Sequence, residues 1–277
     1  MTDIIFEDED ILILYKPRGV AAQTANFLEE DVVSFVRNYR IGKKEAGYVA
    51  LINRLDKPVE GLILIAKNKN AAAFLSNELK ERKIRKFYYA VVHYNHEVGF
   101  YDNIANICSD EAEQNIEKIK EINGKKLGKN VKIYNFIDYI IKDKNNKRAK
   151  IVDKDKYKNA KRASLKAFIE EEKEGVSLLN IELLTGRFHQ IRCQLAYHDM
   201  PILGDRKYGI SKEAFENLKG KEDKKENRPL GDKELSLCAY KLIFIHPKTN
   251  KEMTFSITPK GKKFLEFNAI KDKDLKE

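Results

Sequence analysis

The sequence has few of the residues that build disulfide frameworks and metal sites. Its 277 residues include three cysteines, Cys108, Cys193 and Cys238, and no two of them form a CxxC pair. An odd and scattered set argues against a disulfide scaffold or a zinc knuckle and fits a reducing compartment. The five histidines show no metal-ligand spacing. We therefore expect no metal site.

Long apolar runs and linker-like segments are also lacking. No apolar run reaches the length of a membrane span, and the N-terminus has no signal-peptide core. We therefore expect a soluble, cytoplasmic protein without a membrane partner. The chain shows no internal repeat and no linker rich in glycine, proline or serine. Its length suits one large domain or two lobes that share a core, and a single domain over residues 1–277 is the simplest prediction.

Charge is abundant, and its balance is basic. The chain has 53 basic and 43 acidic residues, which gives a net charge of +10. Such an excess favours a polyanionic partner, RNA or DNA. Because lysine dominates the basic set, a merely solvated lysine-rich surface stays open as an alternative.

The apolar pattern predicts an α+β fold with a largely antiparallel sheet, because short turns join adjacent strands. Helical spacing occurs at Glu29–Tyr39 and Asn70–Lys80, and Val131–Ile141 fits either a helix or a strand. Strand patterns occur at Ile4–Phe6, Ile11–Tyr15, Leu62–Ala66, Phe87–Val92, Ala163–Glu170 and Val176–Leu184, and in a closing hairpin of Leu235–His246 with Glu252–Ile257. Two charged segments, Glu111–Lys129 and Ser211–Glu234, predict surface loops.

The segment Asn53–Lys67 places a carboxylate before a buried strand. Asp56 is flanked by Arg54 and Lys57, and the unbroken apolar run Leu62–Ala66 follows. Five apolar residues without alternation predict a strand covered on both faces. A charged loop on such a strand can present a reactive side chain rigidly, although a turn-capping aspartate explains the same residues.

Two further segments combine basic residues with aromatic or polar ones. Arg82–Lys86 runs into the aromatic strand Phe87–Val92, a combination that suits unpaired bases and phosphates. In Thr185–Leu195 a strand ends and an amphipathic helix begins, and His189 and Arg192 share a face of that helix. This helix start is either an anion-binding surface or simply solvated.

These segments resemble the RluA-type pseudouridine synthases. The strongest matches are Asn53–Lys57 with Gly61–Leu64, and Thr185–Arg192. Four weaker matches follow the family's order along the chain, and together the six span nearly the whole sequence. The weaker matches are Lys16–Gly19, Lys86–Ala90, Pro201–Gly209 and His246–Pro247.

The resemblance implies a mixed, mainly antiparallel sheet with a central cleft and isomerisation of uridine in rRNA or tRNA, without metal or cofactor. It implies that Asp56 is the essential carboxylate, that Tyr88 packs against the base, and that Arg192 pairs with the carboxylate. A monomer without the accessory N-terminal RNA-binding module of many relatives is expected. The predicted RNA contacts are Lys16, Arg54, Lys57, Lys86, Arg187, His189 and Gln190.

The chemistry of the reaction agrees with these roles. A nucleophilic carboxylate must stay ionised at neutral pH, and burial alone would raise its pKa. A guanidinium beside it keeps the carboxylate charged. The target uridine must leave the RNA stack and meet an aromatic or apolar surface, which suits Tyr88.

The chain departs from the family pattern near the predicted site. Asn53 stands where histidine is usual, Val59 and Glu60 replace a Thr-Ser pair, and Gln194 replaces a common histidine. We predict that Glu60 pairs with Arg54 or a nearby lysine and tunes the choice of substrate.

These departures leave two other functions open. One is an RNA-binding protein of the same fold that has lost catalysis. The other is a hydrolase that uses Asp56 and Glu60 as paired carboxylates on a glycosidic bond.

Overall fold

A computed structural model describes residues 2–24, 29–93, 121–122, 125–126, 133–143, 145–173, 175–209 and 234–274. The predicted surface loops at Glu111–Lys129 and Ser211–Glu234 lie almost entirely outside these ranges.

The described ranges contain four α-helices, a short 3-10 helix and thirteen strands. The helices are α1 (Val32–Gly42), α2 (Lys69–Lys80), α3 (Gln190–Tyr197) and α4 (Asn268–Asp274), and the 3-10 helix is Phe264–Glu266. The strands are β1 (Asp3–Glu7), β2 (Ile11–Lys16), β3 (Ala50–Leu51), β4 (Glu60–Ala66), β5 (Arg85–His93), β6 (Glu121–Ile122), β7 (Lys125–Lys126), β8 (Ile133–Asp143), β9 (Arg148–Ile151), β10 (Lys161–Lys173), β11 (Val176–Leu183), β12 (Leu237–Ile245) and β13 (Glu252–Ser256).

The chain divides into two compact units, and the expectation of a single catalytic domain over residues 1–277 stays a prediction. The first unit comprises Met1–Tyr89, Leu237–Gly261 and Lys273–Glu277, and the second comprises Ala90–Ser236 and Lys262–Asp272. Strand β5 crosses the boundary, so its first half belongs to one unit and its second half to the other.

The first unit is built on a mixed sheet. Its strand order is β1-β2-β4-β12-β5, with β3 beside β4 and β13 beside β12. Strands β4 and β12 run parallel, whereas β2 pairs antiparallel with β4 and β13 antiparallel with β12. All seven residues of β4 are buried, which confirms the strand covered on both faces. Helix α2 packs beside this strand and contributes Ala71 and Leu75 to the core.

A close approach of strands explains the glycine that follows Glu60. Gly61 has φ = +134°, and a β-carbon there would lie 2.3 Å from the carbonyl oxygen of Ala239 on β12. Only glycine fits this backbone and this spacing. The parallel strand can therefore lie directly against the start of β4, next to the loop that carries Asp56.

The second unit contains an antiparallel run of strands in the order β11-β10-β8-β9. Helix α3 packs on β8 and β9. A small apolar cluster joins these elements and consists of Ile140, Ala149, Ala163 and Cys193. The sheet therefore supports the helix that carries Arg192.

The predicted α+β class with a mainly antiparallel sheet is confirmed. Helix α1 begins at Val32, because Asp31 accepts a hydrogen bond from the amide of Ser34 and caps it. The ambiguous segment Val131–Ile141 contains a strand, β8, and the closing hairpin forms as β12 and β13. Within the described ranges no helix is long and apolar enough to cross a membrane.

Candidate active site

The turn that carries Asp56 is fastened to the buried strand behind it. The amide of Val59 donates to the carbonyl of Asp56 at 3.0 Å and closes the turn. The buried side chain of Asn53 donates to the carbonyl of Leu62 and accepts from the amide of Leu64, at 3.0 and 2.7 Å. Asn53 therefore uses both ends of its amide to hold the loop on β4.

A buried lysine holds the same loop from the other side. Lys16 is 0 % exposed, and its ammonium donates to the carbonyls of Pro17, Val20 and Lys57 at 2.9, 2.8 and 3.3 Å. The amide of Gly19 also donates to the carbonyl of Lys57, at 2.9 Å. The Lys-Pro-x-Gly segment thus braces the residue after Asp56. The predicted RNA contact through Lys16 is wrong for this conformation, because the ammonium points into the protein.

The structure brings Asp56 and Tyr88 into one electrostatic environment. Asp56 is half-buried in its turn, whereas Tyr88 is 5 % exposed on β5. Burial, together with the negative charge of Asp56, raises the pKa of the Tyr88 phenol above its ordinary value. The phenol therefore stays protonated, and only a small edge of this residue is exposed for contact with a base.

Glu60 is a buried anchor rather than a second reactive carboxylate. It is 1 % exposed and accepts hydrogen bonds from the Tyr15 hydroxyl at 2.6 Å, the Gly261 amide at 3.0 Å and the Arg18 guanidinium at 3.3 Å. Our prediction of a partner in Arg54 or a nearby lysine is wrong in detail, because Arg18 forms the ion pair. Glu60 joins the Lys16–Gly19 segment to the chain after β13.

We expect Glu60→Gln to lower the free energy of unfolding by about 2–3 kcal/mol, because it leaves the Arg18 charge without its carboxylate and replaces an acceptor by a donor. Urea unfolding measures this change. The matched control is Asp3→Asn, which breaks the exposed Asp3–Lys260 pair and should change stability by less than about 1 kcal/mol. Equal effects of the two changes would contradict the anchoring role.

Arg192 is paired within its own unit. Its guanidinium donates to both carboxylate oxygens of Asp205, at 2.7 and 2.8 Å, and the side chains are 5 % and 0 % exposed. Burial favours the neutral acid, but the hydrogen bonds from Arg192 lower the pKa of Asp205 below its ordinary value. Asp56 belongs to the first unit and Arg192 to the second, so their pairing stays a prediction.

The sequence predicted that His189 and Arg192 share one face of a helix, but helix α3 begins at Gln190, one residue after His189. His189 is the N-terminal cap in a left-handed conformation, with φ = +51°, and its Nδ1 lies 2.9 Å from the Tyr208 hydroxyl. Arg192 also lies against Tyr208, with its guanidinium carbon 5.3 Å from the ring centre. Both residues thus meet at Tyr208, although His189 is not part of the helix.

The other predicted RNA contacts fall into two groups, one with exposed or half-buried side chains and one with buried side chains. Arg54 and Lys57 are exposed and Arg187 is half-buried, so these three keep their predicted role. Lys86 is buried, and desolvation lowers the pKa of its ammonium. Gln190 is 3 % exposed, accepts from Thr185 and the Arg187 amide, and donates to a backbone carbonyl. The structure gives Gln190 a structural role in place of the predicted RNA contact.

Burial lowers the pKa of Lys16 to about 8, and the charges of Asp56 and Glu60 oppose this fall. Its ordinary value is 10.5, so between these pH values the unfolded chain binds one more proton and stability rises with pH. We expect a gain of about 2–3 kcal/mol in unfolding free energy over this range, while activity falls as the cation near Asp56 is lost.

Urea unfolding at a series of pH values tests the expected rise in stability, and single-turnover assays at the same pH values test the expected fall in activity. Lys16→Met is the control, because it removes the titrating group, and this component of the pH dependence should disappear. An identical stability profile in the wild type and in Lys16→Met would refute the assignment.

Sequence reasoning missed Asp205 and Tyr208 as partners of the site segment. Both belong to the motif Pro201–Gly209, which was the only signal available. Their distance along the chain from Arg192 gives no indication of contact. It also missed Tyr15 as a partner of Glu60, since a tyrosine in a buried strand is usually interpreted as part of the core.

The late His-Pro motif has a structural explanation. Asp8, Asp10 and His246 bring ligand-type atoms within 4.8 Å of one another. His246 Nδ1 accepts from two backbone amides, so Nε2 carries the proton and donates to Asp8 at 2.8 Å. Asp10 accepts from Asn68 at 2.7 Å. These hydrogen bonds explain why the three side chains lie close together: they connect the β1–β2 turn to the β12–β13 turn.

The sequence of residues 10–197 matches the family model described as RNA pseudouridylate synthase. The chain belongs to this family. The match includes Asp56, Tyr88 and Arg192, and the resemblance to the RluA type is confirmed.

Similar proteins come from several bacteria. An uncharacterized RNA pseudouridine synthase of Mycoplasma pneumoniae is 27 % identical over 91 % of this chain and 65 % of its own length. A ribosomal large subunit pseudouridine synthase C of Pasteurella multocida is 27 % identical over 95 % of this chain and 66 % of its own length. The chain therefore spans slightly less than two thirds of these relatives.

A solved structure shows the same fold. Human RNA pseudouridylate synthase domain containing 4 has a TM-score of 0.62 and 17 % identity, over 95 % of this chain and 90 % of that one. At this identity the likeness establishes the fold and not the substrate.

Proposed function

We propose that this chain is an RNA pseudouridine synthase that isomerises a uridine in folded RNA, with Asp56 as the essential carboxylate. The observation that carries the proposal is the position of Asp56. It sits half-buried in a turn braced by Asn53 and Lys16, and its charge acts on the buried Tyr88. A turn cap alone would not require this support or an aromatic neighbour.

In the proposed reaction the target nucleotide leaves the RNA stack and its base lies against the exposed edge of Tyr88. Asp56 promotes cleavage of the bond between C1′ of the ribose and N1 of uracil, by direct attack on C1′ or through a glycal. The bonding electrons pass to N1, which takes a proton. The base turns and C5 bonds to C1′; this bond displaces the Asp56 carboxylate from C1′ on the direct route, and on the glycal route the proton taken from C2′ is returned. The proton on C5 is then released, so the reaction has no net consumption of atoms.

The buried Glu60 weighs against a hydrolase that uses two carboxylates. Such an enzyme places both carboxyl groups beside the scissile bond. Glu60 is 1 % exposed and is held by three donors from within the protein. Asp56 is therefore the carboxylate of this loop that is available to a nucleotide.

Large-subunit ribosomal RNA is the substrate class that we propose to test first, because several relatives are named for it. We also propose that the protein acts as a cytoplasmic monomer. The scattered cysteines support a reducing compartment, since the described ones, Cys193 and Cys238, are buried and free.

The test incubates the protein with ribosomal RNA and with tRNA, digests the RNA, and quantifies nucleosides by mass spectrometry. Formation of pseudouridine at defined positions supports the proposal. Release of free uracil would indicate the hydrolase instead, and binding without any change in the nucleosides would indicate an inactive RNA-binding protein.

A further inference from the structure

The positive charge of this chain is concentrated in one segment. Residues 142–166 contain eleven basic and three acidic residues, so this segment carries +8 of the net +10. The described part of the segment forms the end of β8, all of β9 and the start of β10 in the second unit. This part of the chain is therefore a candidate surface for a polyanion.

Three of these residues, Arg148, Lys150 and Arg162, lie on one face of the sheet. Along β9, Arg148 and Lys150 are exposed and Ala149 between them is buried. Cross-strand partners share a face, and Lys150 pairs with Ile141 and Arg162 with Tyr139. We call this surface the basic sheet face; it consists of Ile137, Tyr139, Ile141, Arg148, Lys150 and Arg162, and one acidic residue, Asp143, lies on the same face opposite Arg148.

The centre of the basic sheet face is apolar and open. Ile137 is 54 % exposed, and Tyr139 is half-buried with the ammonium of Lys154 5.6 Å from its ring centre. The opposite face is occupied, because Ala149 and Ala163 pack in the cluster with Cys193 of α3. An aromatic and apolar centre with a rim of cations is the pattern that binds unpaired bases and their phosphates.

The surface has a defined boundary and a direct connection to the motif segment. The far end of β10 is acidic at Glu170–Glu172, so the basic character stops along the strand. At the near end, the Arg187 side chain donates to the carbonyl of Arg162 at 3.0 Å, and the Tyr208 hydroxyl accepts from the Ala149 amide at 2.6 Å. The face is thus tied to residues that contact His189 and Arg192.

We propose that the basic sheet face binds a single-stranded segment of the substrate RNA other than the nucleotide that reacts. Stacking on Tyr139 and contact with Ile137 would hold bases, and Arg148, Lys150 and Arg162 would hold phosphates. The identity of that RNA rests on the proposed function, whereas the binding surface does not.

The first experiment removes three charges. The triple variant Arg148→Gln, Lys150→Gln, Arg162→Gln is compared with Lys69→Gln, Lys80→Gln, Lys251→Gln, which removes the same charge from exposed sites of the first unit. Fluorescence anisotropy gives the Kd of an oligouridine of about 20 nucleotides between about 50 and 200 mM salt. The slope of log Kd against log salt should fall by about 2 in the first variant, because each lost phosphate contact contributes ~0.7.

The second experiment tests the bases. Tyr139→Leu keeps an apolar side chain but removes the stacking ring, and we expect about fivefold weaker binding of the oligouridine. Binding of an RNA duplex of similar length should be unchanged, since its bases are not accessible. Equal weakening on both RNAs would overturn the single-stranded part of the proposal.

Equal losses in the two triple variants would overturn the surface itself, because they would reflect net charge alone. Thermal unfolding shows whether both variants are folded, and all six positions are exposed. Absence of pseudouridine formation by the wild type would refute the proposed function but leave this binding comparison readable. With active protein, the triple variant should need more RNA for half-maximal rate and keep the maximal rate.

Discussion

Asp56→Ala is expected to lower pseudouridine formation by at least about 10⁴-fold, because no other carboxylate of the loop can act on the ribose. Glu60 is buried and held by three donors, so it cannot replace Asp56. RNA affinity should stay within about threefold of the wild type or increase slightly, since the change removes a negative charge from the path of a polyanion.

Asp56→Asn makes this test more specific, because it preserves the shape of the side chain and removes only its charge. Nucleoside analysis after single turnover measures the rate, and anisotropy measures affinity on the same RNA. Both variants should also lower the pKa of Tyr88 towards its ordinary value, since Asp56 contributes to raising it. Pseudouridine formation at the wild-type rate in either variant would contradict the role of Asp56.

Arg192→Met is expected to lower the free energy of unfolding by about 3–5 kcal/mol and to abolish activity. The loss of stability follows from Asp205, whose carboxylate has 0 % exposed side chain and would lose both guanidinium hydrogen bonds. Asp205 also accepts from the amides of Lys207 and Tyr208, so the uncompensated charge would disturb the whole turn.

The double variant Arg192→Met, Asp205→Asn separates structure from chemistry. The amide that replaces the Asp205 carboxylate keeps an oxygen for the two backbone N–H groups and has no charge to strand, so most of the stability should return. If Arg192 also serves Asp56, activity stays lost in the double variant. Recovery of activity together with stability would mean that Arg192 acts only through Asp205. Urea unfolding measures the stability of the double variant, and the nucleoside assay measures its activity.

Much of the fold was predictable from local patterns. The unbroken run Leu62–Ala66 predicted a strand buried on both faces, and β4 is such a strand. The helical spacing at Asn70–Lys80 predicted the second helix, and Asn68 caps this helix by accepting from the Ala71 amide at 2.9 Å. Such features depend on residues close in sequence, where spacing and capping chemistry leave few alternatives.

The candidate site was predictable in its motifs but not in its partners. Lys16 has the sequence context of an exposed basic turn residue, yet it is buried and spans two segments by hydrogen bonds to Val20 and Lys57. Glu60 has the sequence context of a surface charge on the loop, yet it accepts from Gly261, which is distant in sequence. A charge pattern does not specify which polar groups the folded chain will enclose together.

The sequence alone therefore established the family, the order of its motifs, the excess of positive charge and the identity of the reactive carboxylate candidate. Tertiary structure decided which charges are buried as anchors, with Lys16, Glu60 and Arg192 enclosed among partners, and which remain exposed, with Arg148, Lys150 and Arg162 on an open sheet face. The physical reason is that a buried charge is stable only where several polar groups converge on it, and that convergence exists only once distant segments have packed.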